Sequence, residues 1–336
     1  MIKESIAKLV RSENLSKPEI ELSMEEIMTG QALPSQIAAF LTAMRMKGET
    51  LDEIVGAASV MRKHATKIKT RHPVVLDTCG TGGDESQTFN VSTVSAFVVA
   101  GAGVAVAKHG NRCVSSKCGS ADLLKALGVN IEAEEHAVSR CLDEIGIGFL
   151  FAPMLHKAMQ YAIGPRREIG IRTIFNILGP LTNPANATHQ LLGVYDYRLT
   201  KPMAEALGRL GSRHALVVHG DDGLDEVTTT DSTQVSELKG GKVTNYEITP
   251  REFGIKMAKP EDLKGGDAEQ NAKIALAVLS GDKGPHRDIV LMNAGCAIYA
   301  ADGAESIKEG IKIAEESIDS GQGLKKLGQL KEVTSR

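Results

Sequence analysis

A glycine-rich segment between an apolar run and a helix start constrains the fold of this chain most strongly. Apolar residues 74–76 are followed by Asp77-Thr78-Cys79-Gly80-Thr81-Gly82-Gly83-Asp84, and a helix can begin at Ser92 or Thr93. This order predicts a strand, a tight turn and a helix whose first backbone N–H groups lack helical partners. Glycines allow close backbone approach, and such N–H groups bind phosphate. We therefore expect a phosphate-binding loop, with a turn that binds no ligand as the alternative.

Two common nucleotide-binding motifs do not match this segment. A P-loop needs lysine and then Ser or Thr directly after its last glycine, whereas Gly83 is followed by Asp84 and Glu85. The dinucleotide fingerprint needs a third glycine at the sixth position, and Glu85 stands there when counting starts at Gly80. Neither of the two common nucleotide-binding motifs therefore describes this loop.

A second polar segment follows the next apolar run. Residues 104–107 predict a short buried strand, and residues 108–122 combine cations, amides, hydroxyls and glycines. Ser120 is placed to cap a helix that stops at Gly128. Two strand, loop and helix units in series bring their loops to one edge of a parallel sheet. The pattern predicts a second anion-binding loop beside the first.

A pair of acidic residues follows a third apolar strand. After residues 215–218, the segment 219–228 contains the adjacent carboxylates Asp225 and Glu226. Mg²⁺ is commonly bound by one or two carboxylates, with waters and substrate phosphates completing its shell. Beside two phosphate loops we interpret the pair as a metal site, while an acidic surface turn is the alternative.

The arrangement of predicted elements indicates an α/β fold. The first seventy residues predict helices alone, with Ser16 as a cap and Thr50 and Glu53 as a capping box. Strands and helices then alternate through Val218, as in a doubly wound domain with a mainly parallel central sheet. We expect a small helical domain over 1–70 and a larger catalytic domain over 71–336.

Composition limits the partners and the compartment. The net charge of −3 provides no general attraction to nucleic acid or to an anionic membrane. A long uncharged stretch, 86–107, is interrupted by polar residues and glycines, so we expect no membrane span there. Five cysteines without metal-site spacing indicate reduced thiols and a cytoplasmic protein.

These segments, with others further along the chain, resemble one enzyme family. The relevant residues are 80–84, 90–93, 108–112, Gly164-Pro165-Arg166-Arg167, 172–184 and 222–226. In this combination the sequence is similar to the anthranilate phosphoribosyltransferases, from the first helices almost to the end. Cys113 and Cys118 are departures, because small residues or serine are expected there.

The resemblance implies transfer of the phosphoribosyl group of phosphoribosyl pyrophosphate to the amine of anthranilate, which gives N-(5-phosphoribosyl)anthranilate and pyrophosphate in tryptophan biosynthesis. It implies Mg²⁺ as cofactor, bound by Ser92, Asp225 and Glu226. Positioning and metal electrostatics would then carry the reaction, without a catalytic side chain. It also implies that substrates bind to Gly80, Gly83, Asp84, Thr88, Asn90, Val91, Ser92, Thr93, Lys108, His109, Gly110, Asn111, Arg112, Ser115, Ser116, Ser120 and Arg166.

The same resemblance implies an acceptor pocket. Arg166 would grip the anthranilate carboxylate with a two-bond fork, and Asn111 and Gly80 would border the pocket. A surface salt bridge is the alternative role for Arg166. We assign His109 and His156 to packing rather than to proton transfer, because a neutral aniline is already nucleophilic.

Domain arrangement and assembly are also implied by the resemblance. Residues near 165–185 would join the helical domain, with the active site between the domains. A homodimer would form through the helical domains, with Ile37, Phe40 and Leu41 as candidate contacts or as core residues. Two rivals stay open: a pyrimidine nucleoside phosphorylase, and a non-enzymatic relative that binds nucleic acid through a positive surface.

Overall fold

The computed structural model describes residues 1–84, 86–112 and 118–335. The chain divides into two compact units, and each is built from two separate stretches of sequence. The helical unit consists of Met1–Lys67 and Pro153–Pro184, and the α/β unit consists of Ile68–Ala152 and Ala185–Arg336.

Helices dominate the described residues, and all of them fall short of a membrane span in length or in hydrophobicity. They are α1 (Ile2–Leu9), α2 (Lys17–Met28), α3 (Pro34–Lys47), α4 (Leu51–His64), α5 (Val91–Gly101), α6 (Ser120–Ala126), α7 (Glu135–Ile145), α8 (Ala152–Leu155), α9 (Gln160–Ile169), α10 (Phe175–Leu178), α11 (Thr200–Arg209), α12 (Ala268–Leu279), α13 (Pro285–Ala300), α14 (Ile307–Asp319) and α15 (Gln322–Thr334).

The helical unit forms where its sequence carries helix caps. Ser16 N–H donates to Glu19 Oε2 over 2.9 Å, and Thr50 N–H donates to Glu53 Oε2 over 2.7 Å. These pairs satisfy backbone donors at the starts of α2 and α4, as the sequence predicts. Ile37, Phe40 and Leu41 are at most 1% exposed in the core of this unit. Their candidate role as dimer contacts is therefore wrong.

The α/β unit is built on a seven-stranded sheet in the order β3-β2-β1-β4-β5-β6-β7. The first five strands in this order are parallel, and the last two are antiparallel. The predicted fold class is confirmed. The strands are β1 (Leu76–Gly80), β2 (Val106–Gly110), β3 (Ile147–Phe151), β4 (His189–Gly193), β5 (His214–Gly220), β6 (Thr233–Lys239) and β7 (Lys242–Ile248).

Four of the parallel strands end in glycine, namely β1, β2, β4 and β5. A side chain at two of these ends would collide with the acidic loop that follows β5. A Cβ on Gly193 would overlap the backbone of Asp225, and one on Gly80 would overlap its carboxylate. The glycines thus let the loop that carries Asp225 and Glu226 lie directly against the ends of β1 and β4.

Several element boundaries differ from the sequence prediction. The strand predicted at 74–76 runs instead from Leu76 to Gly80, because each of its residues pairs with β4. In the same way β2 continues to Gly110, which pairs with Phe151 of β3. Ser120 is the first residue of α6, with Gly119 in the cap position, so its predicted capping role is wrong. Apolar patterning shows which residues are buried but not which backbone groups pair across a sheet.

Candidate active site

The glycine-rich loop lies against the ends of β1 and β4. Gly82 and Gly83 have φ angles of +67° and +82°, which glycine adopts without strain. Thr81 N–H donates to Gly193 O over 2.9 Å. Gly82 N–H donates to Asp225 Oδ2 over 2.7 Å, so a carboxylate already lies at one of the loop's backbone donors.

The N-terminus of α5 holds the second carboxylate. Ser92 N–H donates to Glu226 Oε1 over 3.2 Å, where the helix dipole favours negative charge. Thr78 Oγ1 donates to Ser92 O over 3.0 Å and ties the helix to β1. Val91 and Thr93 are each 1% exposed, which directs both side chains into the core. Asp84 and Thr88, also predicted to bind substrate, lie on the loop between Gly83 and α5, where Ser86 Oγ donates to Asp84 Oδ2.

Lys108 contributes a buried cation to this site. It is 3% exposed in the middle of β2, and its ammonium donates to Thr78 O over 2.5 Å and to Ser92 Oγ over 3.3 Å. Burial lowers the pKa of Lys108, and the charge of Asp77 opposes that shift. The next residue, His109, donates its backbone N–H to Asp77 Oδ1 over 3.0 Å. Asp77 thus fixes the backbone next to Lys108.

Asp225 is buried and Glu226 is half-buried, and both carboxylates have raised pKa values. Burial raises the pKa of Asp225 well above its ordinary value, and the charges of Asp84 and Glu226 raise it further. Burial also raises the pKa of Glu226, against the attraction of Lys108. A bound cation would relieve the mutual repulsion of Asp84, Asp225 and Glu226 and favour the charged forms of Asp225 and Glu226.

Hard oxygen donors of this kind fit a divalent cation. Among the described residues, no three His, Cys, Asp or Glu side chains converge as a complete metal centre. Mg²⁺ does not need one, because water and substrate oxygens commonly fill most of its shell. The residues present therefore fit Mg²⁺ that is bound together with a phosphate ligand.

The second predicted anion loop is described only in part. Ser115 and Ser116 lie outside the described residues. Asn111 O accepts from Ala121 N over 3.2 Å, which connects the end of β2 to the first turn of α6. A Cβ on Gly110 would lie 3.1 Å from Ser120 Cβ. The Arg112 guanidinium lies 3.9 Å from Asp122 Oδ1 and 5.7 Å from the centre of the Phe151 ring, so these contacts direct it to α6 and β3.

A third segment contacts the glycine-rich loop, and sequence reasoning missed it. Gly265 N–H donates to Gln87 O over 2.9 Å, and Thr88 forms an antiparallel bridge with Lys264. Asn271 Nδ2 donates to Asn90 Oδ1 over 3.1 Å. The one available signal was a polar residue at a buried position of the helix α12.

Arg166 belongs to the helical unit. It lies on α9 after Pro165, and its guanidinium is 5.1 Å from the centre of the Phe175 ring. Burial lowers the pKa of Arg166. His156 is 6% exposed in the same unit, and burial lowers its pKa to about 4.

Two models of one family match this chain. Residues 3–65 match the helical bundle domain of a glycosyl transferase family, and residues 72–324 match its α/β domain. Together the matches cover most of both units.

Similar proteins, compared by sequence and by structure, share one name. The chain is 58% identical to the anthranilate phosphoribosyltransferase of Moorella thermoacetica, over 97% of this chain and 96% of that protein. The crystal structure of the Thermus thermophilus enzyme of the same name superimposes with a TM-score of 0.94 at 43% identity, over 99% of each chain. The Saccharomyces cerevisiae enzyme, in complex with phosphoribosyl pyrophosphate and Mg, gives 0.90 at 30% identity, over 99% of this chain and 98% of that one. Another complex of the yeast enzyme contains 4-fluoroanthranilate.

Proposed function

The chain belongs to the anthranilate phosphoribosyltransferase family, and we propose that its glycine-rich loop, the N-terminus of α5 and the loop after β5 together bind phosphoribosyl pyrophosphate. Its activity is the family's reaction in tryptophan biosynthesis, in which the phosphoribosyl group passes to the amine of anthranilate and pyrophosphate leaves. The rival functions, nucleoside phosphorolysis and nucleic-acid binding, are not retained.

One observation carries the proposed binding site. Two backbone donors suited to phosphate oxygens, Gly82 N–H and Ser92 N–H, each donate to a carboxylate of the loop after β5. Backbone N–H groups that can bind an anion and carboxylates that can bind a cation therefore lie within hydrogen-bonding distance of each other. A diphosphate with its divalent cation needs both kinds of group side by side.

We assign Mg²⁺ to Asp225, Glu226 and Ser92. When bound, the ion would neutralise the charge that develops on the departing pyrophosphate. Lys108 would help to hold the pyrophosphate end of the substrate through Ser92, because the Lys108 ammonium donates to the Ser92 hydroxyl. Gly80, Gly83, Asp84, Thr88 and Asn90 would complete the cradle around phosphates and ribose. Among the remaining predicted residues, Val91 and Thr93 would contribute through backbone groups, since their side chains are buried.

The acceptor needs a group that recognises a carboxylate. We propose that Arg166 binds the carboxylate of anthranilate, with its guanidinium held against Phe175. His156 does not serve as the base, because its pKa of about 4 leaves it a weak proton acceptor. The proton of the amine can pass to water after the new bond has formed.

The surface of the helical unit and the buried thiols support proposals for assembly and compartment. We propose a homodimer through the helical unit, where α1 and α3 line an apolar groove of about 450 Å³ beside Val10 and Met46, which are 67% and 84% exposed. We also propose a reducing compartment, because the cysteines of the described residues are buried thiols.

The test follows anthranilate fluorescence after mixing the protein with phosphoribosyl pyrophosphate, with and without Mg²⁺. We expect the fluorescence to fall only with the metal, and to fall at least tenfold more slowly in the Asp225→Asn/Glu226→Gln variant. The same pair of changes at surface acids, Asp231→Asn/Glu247→Gln, serves as the control. An equal rate with and without Mg²⁺ in the folded wild type would remove the metal assignment.

A further inference from the structure

A buried asparagine outside all the predicted motifs contacts the side chain of Asn90. Asn271 is 2% exposed and lies in the first turns of α12, after the cap residue Asp267. Its Nδ2 donates to Asn90 Oδ1 over 3.1 Å. A buried amide needs hydrogen-bond partners, and Asn271 finds one on the loop that we assign to phosphoribosyl pyrophosphate.

The segment before α12 fixes the orientation of the Asn271 amide. Gly266 N–H donates to Asn271 Oδ1 over 2.7 Å. A backbone N–H can only donate, so the oxygen of Asn271 must face Gly266 and its nitrogen must face Asn90. Asn271 therefore acts as a donor toward the glycine-rich loop.

Asn90 is held from a second side by Cys118. Asn90 Nδ2 donates to Cys118 O over 3.0 Å, and Cys118 Sγ lies 3.3 Å from Asn90 Oδ1 as a weak donor. Turning the Asn90 amide by half a turn would place its nitrogen against the Asn271 nitrogen and its oxygen against Cys118 O. The two neighbours thus permit one orientation of the amide.

The segment before α12 reinforces this contact. Gly265 N–H donates to Gln87 O over 2.9 Å, and a Cβ on Gly265 would lie 2.7 Å from the Phe89 backbone. Gln87 has a φ of +56°, which is an unfavourable conformation for a residue with a side chain. Residues 264–266 and Asn271 together hold the glycine-rich loop in the shape that ends at Asn90.

We propose that Asn271 is a positioning residue for phosphoribosyl pyrophosphate. It fixes the Asn90 amide so that the second N–H of this amide is directed at the substrate, while Asn271 itself makes no contact with it. The inference rests on the proposed binding role of Asn90. Loss of the Asn271 donor would let the Asn90 amide rotate and would weaken binding of this substrate alone.

The test is a double-mutant cycle with Asn90→Ala, Asn271→Ala and the combined variant. We measure KM for each substrate, and Kd for phosphoribosyl pyrophosphate with Mg²⁺ by titration calorimetry. Asn271→Ala should raise the KM and Kd of phosphoribosyl pyrophosphate about tenfold, with the KM of anthranilate unchanged. The combined variant should bind no more weakly than Asn90→Ala, because Asn271 acts through Asn90.

Asn130→Ala is the matched control. Asn130 lies in the same unit, accepts a backbone N–H from Glu132 and donates to Thr334 O, as Asn271 accepts from Gly266. It should leave both KM values unchanged. If Asn271→Ala fails to fold, Asn271→Ser removes the same amide with a smaller change in volume and is measured instead.

The outcomes distinguish the binding role of Asn90 from the positioning role of Asn271. If Asn90→Ala leaves the Kd unchanged while the wild type is active, the binding role proposed for Asn90 is wrong. If Asn90→Ala weakens binding but Asn271→Ala does not, only the positioning role is wrong. Equal and independent losses in the two single variants, which add in the combined variant, would also overturn the positioning role.

Discussion

At the scale of single residues, the absence of a side chain at Gly193 matters as much as any functional group. A Cβ there would overlap the backbone of Asp225, and backbone cannot move aside as a flexible side chain can. Gly193 also pairs with Gly80 of β1 and Val218 of β5, so strands flank it on both sides. The position of the acidic loop therefore depends on this glycine.

We expect Gly193→Ala to lower the free energy of unfolding by about 3 kcal/mol, because the collision forces the loop away from the strand end. It should also raise the Mg²⁺ concentration needed for half-maximal activity. Urea unfolding and a metal titration measure the two effects. The control is Gly328→Ala on α15, where a Cβ meets no atom within 4 Å. That change should stabilise the protein by up to about 1 kcal/mol.

Arg166 gives a second prediction at this scale. Lysine cannot reproduce a two-bond fork or the flat contact with Phe175, so Arg166→Lys should raise the KM of anthranilate by about tenfold or more. The Kd of phosphoribosyl pyrophosphate should stay the same. Steady-state kinetics with each substrate varied in turn distinguishes the two, and the exposed neighbour Arg167→Lys is the control. An unchanged KM for anthranilate would refute the acceptor role.

At the scale of elements, α13 supports the acidic loop through Asn293. This residue is fully buried, accepts from Val227 N–H over 3.0 Å and donates to Val227 O over 2.8 Å. Its amide thus binds both backbone groups of the residue that follows Glu226. The helix positions the loop as a neighbouring strand would.

We expect Asn293→Ser to cost about 2 to 3 kcal/mol of stability, because it leaves the buried backbone groups of Val227 without partners. It should also raise the Mg²⁺ requirement while leaving the KM of anthranilate unchanged. Calorimetric melting and a metal titration provide the readouts, with Asn245→Ser on the exposed strand β7 as the control. A stable variant with an unaltered metal requirement would show that the loop is fixed by other contacts.

At this scale, the contacts that could be predicted were those between residues close together in the sequence. The capping boxes at Ser16 and Thr50 involve residues three positions apart, and they are visible in the sequence. The family motifs likewise give the fold and the reaction. The sequence did not predict the role of Asn271, because its partner Asn90 is 181 positions away and no local pattern links the two residues. The antiparallel pair β6 and β7 was also missed, although Gly240 and Gly241, both with positive φ, form the turn between them.

At the scale of the whole molecule, one buried histidine connects stability to pH. The folded chain lowers the pKa of His156 from 6.5 to about 4, because burial disfavours the charged ring. Between these two pH values the unfolded chain binds a proton that the folded chain does not. Stability from this residue is therefore complete above pH 6.5, falls as the pH drops toward 4, and then stays level.

We expect the wild type to lose about 2 to 3 kcal/mol more stability between pH 7 and pH 4.5 than His156→Gln, whose side chain does not titrate. Urea unfolding at the two pH values measures the difference. His136→Gln is the control, since His136 is 75% exposed and should leave the pH dependence of the wild type unchanged. Parallel losses in wild type and His156→Gln would mean that other groups dominate acid unfolding.

The strand order has a consequence for how the chain is made. β1 pairs with β4, which follows roughly 110 residues later, and the helical unit likewise needs residues 153–184 to complete itself. A ribosome that adds about 5–20 residues per second leaves the first helices and strands without these partners for roughly 5–20 seconds. During that interval the apolar faces of α3 and β1 are exposed to other proteins in the cell. We therefore expect the chain to aggregate more readily during synthesis than after β4 has paired with β1.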